Sequence, residues 1–190
     1  TRRSSDLLLL KQKPKRGNPK MRRFLCYVVM IVLVFFIQTG IFTQLPLGGI
    51  VPNLFIICTA SIGMLRGKAE GCLVGFFFGI LMDTLFSGYF GFYALIFSVI
   101  GYLTGYIKQI FYEEDMTLPI VMIGAADILY GIIVYLCTFL TRGRMDFLYY
   151  FRKIILPEMV YTLIIAVFLY RLFSWINRKI EIKGSENRID

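Results

Sequence analysis

The stretch that decides the fold is CLVGFFFGILMDTLFSGYFGFYALIFSVIGYLTGYI, which runs from Cys72 to Ile107 and carries one charged side chain, Asp83. At about 1.5 Å per residue, a single helix of this length would reach about 54 Å, whereas the hydrocarbon core of a bilayer is about 30 Å thick. We therefore predict two membrane spans that fold back on each other near Ser87–Gly91.

The composition indicates a polytopic helical membrane protein. Of the 190 residues, 57% are hydrophobic and 17% are charged, whereas soluble domains carry about 25% charged residues. The net charge of +9 is concentrated at the chain ends, which favours contact with anionic lipids over binding of nucleic acid. The chain has no His, and its four cysteines are scattered without C-x-x-C spacing. We therefore expect no metal site, no disulfide framework and no cofactor.

Hydropathy predicts an all-α integral membrane protein with six transmembrane helices. The predicted spans are Phe24–Phe42, Ile50–Leu65, Gly71–Phe86, Phe92–Ile107, Leu118–Leu140 and Ile154–Trp175. Pro52, Pro119 and Pro157 would then lie in first helical turns, where a missing N–H costs little. The segment Thr141–Lys153 between the last two spans is interpreted as a basic and aromatic connector.

The chain divides into three parts on this reading. Residues 1–23 form a basic, disordered lead, residues 24–175 form the six-helix membrane domain, and residues 176–190 form a polar cytoplasmic tail. The chain begins with Thr1, and Met21-Arg22-Arg23 directly precedes the first apolar run. We expect Met21 to be the natural start and residues 1–20 to be upstream sequence, with a cytoplasmic tail as the alternative.

The distribution of basic residues predicts that both termini are cytoplasmic. With six spans, 17 of the 21 Lys and Arg residues fall on the side of the termini and four fall on the other side. This split obeys the positive-inside rule. A five-span arrangement would leave a similar imbalance, so the length of Cys72–Ile107 decides between the two.

Glycines spaced four apart predict a tight helix contact that leads to a buried carboxylate. Gly71, Gly75 and Gly79 lie on one face of the third span, which ends at Asp83. Gly101 and Gly105 repeat the spacing on the fourth span. Since glycines allow two backbones to approach closely, we expect these residues to form a helix-packing surface or an interface with a partner.

Buried acidic groups are the other candidates for functional residues. Asp83 and Asp127 lie deep in predicted spans, and no Lys or Arg lies at either depth. We expect Asp83 to be largely uncharged, in a structural or partner-gating role, because a charge in lipid is costly. For Asp127 a structural hydrogen bond and a proton or ligand site both remain open. Glu158 follows Pro157 near the interface and is interpreted as structural.

Enzyme motifs are missing from the chain. There is no H-E-x-x-H or G-x-S-x-G, and the absence of His excludes a Ser-His pair. An intramembrane aspartyl protease using Asp83 and Asp127 is the one enzyme hypothesis, but neither aspartate follows a Gly-x-Gly. The aromatic run Phe147–Phe151 is interpreted as an interfacial belt, with a partner-docking edge as the alternative.

The region Pro52–Leu95 resembles the rod-shape-determining MreD family. The residues that carry the resemblance are Pro52, Asn53 and Leu54, then Gly71, Gly75, Phe76, Gly79, Leu81, Asp83 and Leu85, then Gly91, Ala94 and Leu95. The family shows a Pro-Asp or Pro-Asn opening to the second span, a G-x-x-x-G-F-x-x-G-x-x-x-D run in the third and a Gly–Ala-Leu start to the fourth.

The resemblance implies a non-enzymatic membrane scaffold of the bacterial cell-elongation machinery. Such a protein would bind the bitopic protein MreC in the cytoplasmic membrane and help connect cytoplasmic MreB with a peptidoglycan glycosyltransferase and its transpeptidase. The family fold also resembles substrate-binding components of energy-coupling-factor transporters, so a small-molecule transporter component is the alternative. Such a component should offer a polar cavity on its outer side.

Overall fold

The computed structural model describes residues 19–42, 44, 49–86, 90–110, 117–138 and 146–189. Within these ranges every regular element is a helix and no strand occurs. The prediction of an all-α protein is therefore confirmed.

Six helices, α1 to α6, follow one another in the described part of the chain. Their bounds are Pro19–Phe36 for α1, which continues as a π-helical segment over Ile37–Phe42; Leu54–Arg66 for α2; Lys68–Phe86 for α3; Phe92–Ile110 for α4; Thr117–Thr138 for α5; and, for α6, the successive segments Phe147–Tyr150, the π-helical Phe151–Ile155 and Leu156–Ile189.

Three of these helices are long and apolar enough to cross a membrane. They are α1 over Leu25–Phe42, α5 over Thr117–Cys137 and α6 over Phe147–Ile176. Shorter apolar stretches lie in α2 (Leu54–Arg66) and in α4 (Phe92–Lys108). Length and composition thus support a membrane protein, whereas six crossings and the orientation of the termini stay predictions.

Helix α2 forms the centre of the molecule. It has 13 residues and would measure about 20 Å, which is shorter than the hydrocarbon core. Every residue from Leu54 to Met64 is buried, and the helix contacts all five of the others. The longer helices therefore surround α2. This position is stable for a helix that is apolar on all sides.

Aromatic packing joins α2 to its neighbours. The ring of Phe55 in α2 lies 5.1 Å from the ring of Phe78 in α3 and 6.2 Å from the rings of Phe97 in α4 and Phe35 in α1. These separations fall in the range of favourable aromatic pairs. The contacts fix the position of the N-terminal half of α2.

The start of α2 differs from the prediction. The helix begins at Leu54, whereas we predicted Ile50, so Pro52 precedes the helix and does not occupy its first turn. The reason is a side-chain cap: Asn53 Oδ1 accepts a hydrogen bond from the N–H of Ile56 at 3.2 Å. Asparagine favours this N-cap position because it satisfies a helix N–H that has no partner within the helix.

The connection between α2 and α3 is also shorter than predicted. The helices are separated by Gly67 alone, and α3 begins at Lys68 where we predicted Gly71. Gly67 has a φ of +102°, which an L side chain rarely adopts. Glycine therefore allows an abrupt reversal without a loop.

The predicted connector before the last span is partly helical. Helical structure starts at Phe147 and continues through Pro157 to Ile189, beyond the predicted end at Trp175. Proline lacks an N–H and clashes with the preceding turn of a regular α-helix. The π-helical segment Phe151–Ile155 lies just before Pro157, and such a local change in helix geometry lets the helix continue through the proline. Residues 139–145 of the predicted connector lie outside the described residues.

Candidate functional site

The glycines Gly71, Gly75 and Gly79 of α3, which we call the glycine ladder, lie at the centre of a contact between α2, α3 and α4. A Cβ atom added to Gly71 in α3 would lie 2.5 Å from the carbonyl oxygen of Gly101 in α4 and 2.7 Å from the Cα of Gly63 in α2. Both distances are well below the 3.4 Å at which ordinary contact begins. Glycine is therefore required at this point by the close approach of three backbones.

The same close approach continues along the α3–α4 pair. A Cβ on Gly75 would lie 2.6 Å from the carbonyl carbon of Phe97, and one on Gly79 would lie 2.5 Å from the backbone nitrogen of Ala94. Towards the other end, a Cβ on Gly105 would lie 2.5 Å from the Cα of Lys68. The predicted glycines on the two helices are thus brought together inside the chain.

Asp83 ends the ladder by binding the first turn of α4. Its Oδ2 accepts hydrogen bonds from the N–H groups of Gly91 and Ala94 at 3.0 Å each, and its Oδ1 accepts one from Tyr93 at 2.9 Å. The side chain is 2% exposed. These donors are among the N–H groups that a helix start leaves unsatisfied, so Asp83 closes the α3–α4 hairpin.

This geometry identifies the hydrogen-bond partners of Asp83. We expected an uncharged Asp83 because no Lys or Arg lies at its depth, which stays a prediction, and the structure shows that its partners are backbone N–H groups. Both oxygens are satisfied as acceptors, so neither needs a hydroxyl proton for hydrogen bonding. The helix N-terminus also favours negative charge.

A second polar site is a cavity of about 220 Å³. It lies where α1 and α3 end and where α2 begins, and α5 and α6 complete its wall. We call it the outer cavity because it lies at the end of the bundle away from the start of α1 and the end of α6. Its lining consists of Gln38, Thr39, Val51, Pro52, Asn53, Phe55, Met82, Tyr130 and Glu158. Polar side chains from four parts of the chain therefore converge on one space.

The side chain of Gln38 and the backbone N–H of Asn53 hold the walls of the outer cavity together. Gln38 of α1 donates through Nε2 to the carbonyl of Pro52 at 3.0 Å and accepts through Oε1 from the N–H of Leu54 at 2.9 Å. The N–H of Asn53 donates to the hydroxyl of Thr162 in α6 at 3.1 Å. The start of α2 is thereby tied to both α1 and α6.

Two carboxyl groups, one on α5 and one on α6, interact electrostatically beside this cavity. Asp127 interacts electrostatically with Glu158 and shares a hydrogen bond with Thr162. Asp127 is 3% exposed, and its Oδ1 has no hydrogen-bond partner among the described residues. Asp127 and Asp83 thus have different partners, and the geometry does not support a shared aspartyl-protease site.

A different set of contacts occupies the opposite end of the bundle. The Tyr27 hydroxyl donates to Glu70, and the Lys108 ammonium donates to the carbonyl of Leu65. These bonds join α1 to α3 and α4 to α2. At this end of the bundle, the charged side chains of Glu70 and Lys108 therefore form hydrogen bonds between helices.

A protein-family comparison identifies the chain. The model of the family described as rod shape-determining protein MreD matches residues 20–180. The chain belongs to the MreD family. No match was found among curated proteins or among solved structures.

Membership of the MreD family implies a role in determining rod shape. MreD proteins are shape-determining membrane components associated with the MreB and MreC machinery, and they are not a known family of enzymes. The family resemblance drawn from Pro52–Leu95 is confirmed.

The residues of the family-like motif fall into two groups in the structure. Asn53, Gly91 and Ala94 have backbone or capping roles, because Asn53 caps α2 and the other two bind Asp83. Phe76 and Leu95, in contrast, are 44% and 66% exposed. Their side chains thus have large surfaces that the described fold does not cover.

Sequence reasoning missed most of the outer cavity. Gln38, Tyr130 and Thr162 were not singled out, and Glu158 was assigned only a structural role. The available signal was the presence of single polar side chains within or beside apolar runs, which are expensive in lipid unless they have partners. That signal does not show which of them meet.

Proposed function

We propose that this chain is a non-enzymatic scaffold of the cell-elongation machinery in the bacterial cytoplasmic membrane. In this role it binds an MreC-like bitopic protein and helps couple cytoplasmic MreB to the peptidoglycan glycosyltransferase and transpeptidase. The match to the MreD family over residues 20–180 carries the proposal.

The proposed topology has six membrane crossings with both termini in the cytoplasm. Contacts at the two ends of the bundle support this topology: Gln38 of α1, Pro52 before α2 and Glu158 of α6 meet at the outer cavity, whereas Tyr27 of α1 and Glu70 of α3 meet at the opposite end. The basic residues concentrate on the proposed cytoplasmic side, where anionic lipids would attract them.

The close glycine contacts support an internal role for the ladder. Because the backbones of α2, α3 and α4 already fill the space around Gly71, Gly75 and Gly79, a partner helix has to dock elsewhere. Phe76 and Leu95 belong to the family-like motif and are exposed. We therefore assign them to the surface that contacts the MreC-like partner.

Depletion of the protein tests the function. Rod-shaped cells should become swollen or round as the protein is lost, and wild-type protein supplied in trans should restore the rods. Cells that keep their rod shape and width after complete depletion would contradict the proposed function.

A transporter component remains the second candidate function because of the outer cavity. Its polar lining by Gln38, Asn53 and Glu158 on the proposed outer side is the feature expected of a substrate-binding subunit. Co-purification with transporter ATPases, in place of proteins of wall synthesis, would favour this alternative.

A further inference from the structure

The outer cavity has an acidic character that the packing of the helices does not explain. Gln38 and Asn53 use their side-chain oxygens in hydrogen bonds to the N–H groups of Leu54 and Ile56. Glu158 also lines the cavity, and none of the described lining residues is Lys or Arg. The cavity therefore offers a carboxyl group to whatever occupies it.

Asp127 is a second acidic group beside the cavity, although it is not one of the lining residues. It interacts electrostatically with Glu158 and with Tyr130, and both of these side chains line the cavity. Its Oδ1 is buried and lacks a hydrogen-bond partner within the described part of the chain. A buried carboxylate oxygen without a donor is costly, so the site is incomplete as it stands.

The missing partner should carry positive charge and several N–H donors. A protonated primary amine has three such donors and one charge, which suits Glu158 and Asp127 together. The volume of about 220 Å³ exceeds that of a single bare ion but is below the roughly 300–1,000 Å³ of pockets for drug-sized ligands. The chemistry therefore favours a small ammonium group.

We propose that the outer cavity binds a primary ammonium group through Glu158, with Asp127 as the neighbouring acidic group. The group can belong to a free small amine or to the amine headgroup of a lipid, since the cavity lies at one end of the helices. This inference goes beyond the proposed scaffold function and does not depend on it.

The test measures thermal unfolding of the full chain in phosphatidylcholine nanodiscs. Ethanolamine hydrochloride is the probe, and choline chloride and sodium chloride at the same ionic strength are controls, because choline carries the charge without N–H donors. Ethanolamine should raise the unfolding temperature in a saturable manner, with half-saturation at about millimolar concentration for a ligand this small. Choline and sodium should not.

Two isosteric variants locate the effect. Glu158→Gln removes the carboxyl group that is proposed to pair with the ammonium group and should raise the half-saturating ethanolamine concentration about tenfold or more. Glu70→Gln is the matched control, because Glu70 lies at the opposite end of the bundle beside Tyr27, and it should leave that concentration unchanged.

Nanodiscs of phosphatidylethanolamine distinguish the two sources of the amine. Stabilisation by this lipid, with no further effect of free ethanolamine, supports a lipid headgroup; retention of the ethanolamine effect supports a free amine. The proposal is overturned if neither ethanolamine nor this lipid stabilises the wild-type protein. An equal response to choline or sodium, or an unchanged response of Glu158→Gln, would also overturn it.

Discussion

Replacement of Gly71 by Ala tests the three-helix contact directly. The added Cβ would lie 2.5 Å from the Gly101 carbonyl oxygen and 2.7 Å from the Gly63 Cα, and ordinary contact begins at 3.4 Å. Backbone atoms cannot rotate away, so α3 has to move by about 0.7–0.9 Å relative to both α2 and α4. A small displacement at the centre of the bundle must then spread into the packing around it.

The expected cost follows from two opposing effects. Overpacking of a well-packed core costs about 1–3 kcal/mol, whereas Ala is favoured over Gly inside a helix by about 0.8–1.0 kcal/mol. Because the added Cβ would meet backbone atoms of two helices, the overpacking cost should be about 2–3 kcal/mol, which leaves a net loss of about 1–2 kcal/mol for Gly71→Ala. At about 2–4 °C per kcal/mol for a chain of this size, the unfolding temperature should fall by about 2–8 °C.

Gly124→Ala is the matched control in the same assay, which is thermal unfolding of the detergent-purified full chain. A Cβ at Gly124 would meet only side-chain atoms of Leu163, the nearest at 3.2 Å, and these atoms can shift. The control should therefore unfold at the wild-type temperature or slightly above it. The reasoning is refuted if Gly71→Ala is as stable as the wild-type protein, or if both variants lose the same amount.

Three further predictions concern the hairpin, the partner surface and the topology. Asp83→Asn keeps the shape but replaces an acceptor by an N–H₂ donor that faces N–H groups, so it should lower the unfolding temperature, and Asp83→Leu should lower it more; wild-type stability of Asp83→Leu would exclude the proposed closure. Phe76→Ala should reduce co-purification of the MreC-like partner, whereas Phe77→Ala should not, although the two side chains are 44% and 43% exposed; equal effects would remove Phe76 from the partner surface. In a Cys-free background, a cysteine at Ser87 should be labelled in intact cells and one at Ser185 only after permeabilisation; labelling of Ser185 in intact cells would contradict the six-span topology.

The sequence predicted the α3–α4 hairpin because its physical causes are local. The length of Cys72–Ile107 exceeds one membrane crossing, and the spacing of Gly71, Gly75 and Gly79 places them on one helix face. Both features can be counted along the chain without knowledge of distant contacts. The motif residues between Pro52 and Leu95 that resemble the MreD family can also be identified from their spacing along the chain alone.

The parts that could not be predicted depend on partners from other elements. Asp83 binds N–H groups that follow it by eight to eleven residues, and the residue types between them do not specify this contact. Gln38 accepts a hydrogen bond from Leu54 at the start of α2, which lies 16 residues further along the chain. No pattern of residue types specifies which buried polar groups will meet, because that depends on how the helices pack.

The position of α2 and the helix around Pro157 were not predicted, although both have a cause in the sequence. Helix α2 was predicted as a membrane span, which stays a prediction, and its short, wholly apolar sequence also fits the buried central position that the structure shows. Pro157 was interpreted as a helix start, since that position tolerates a missing N–H. The structure instead places the π-helical segment Phe151–Ile155 before it, which is the other way for a helix to accommodate proline.

Affinity purification of the tagged protein from native membranes, with quantitative mass spectrometry of its partners, tests the central claim most directly. A scaffold of the elongation machinery should enrich an MreC-like bitopic protein and the enzymes of peptidoglycan synthesis over an untagged control. Enrichment of transporter ATPases, with no enrichment of the MreC-like protein, would contradict the account.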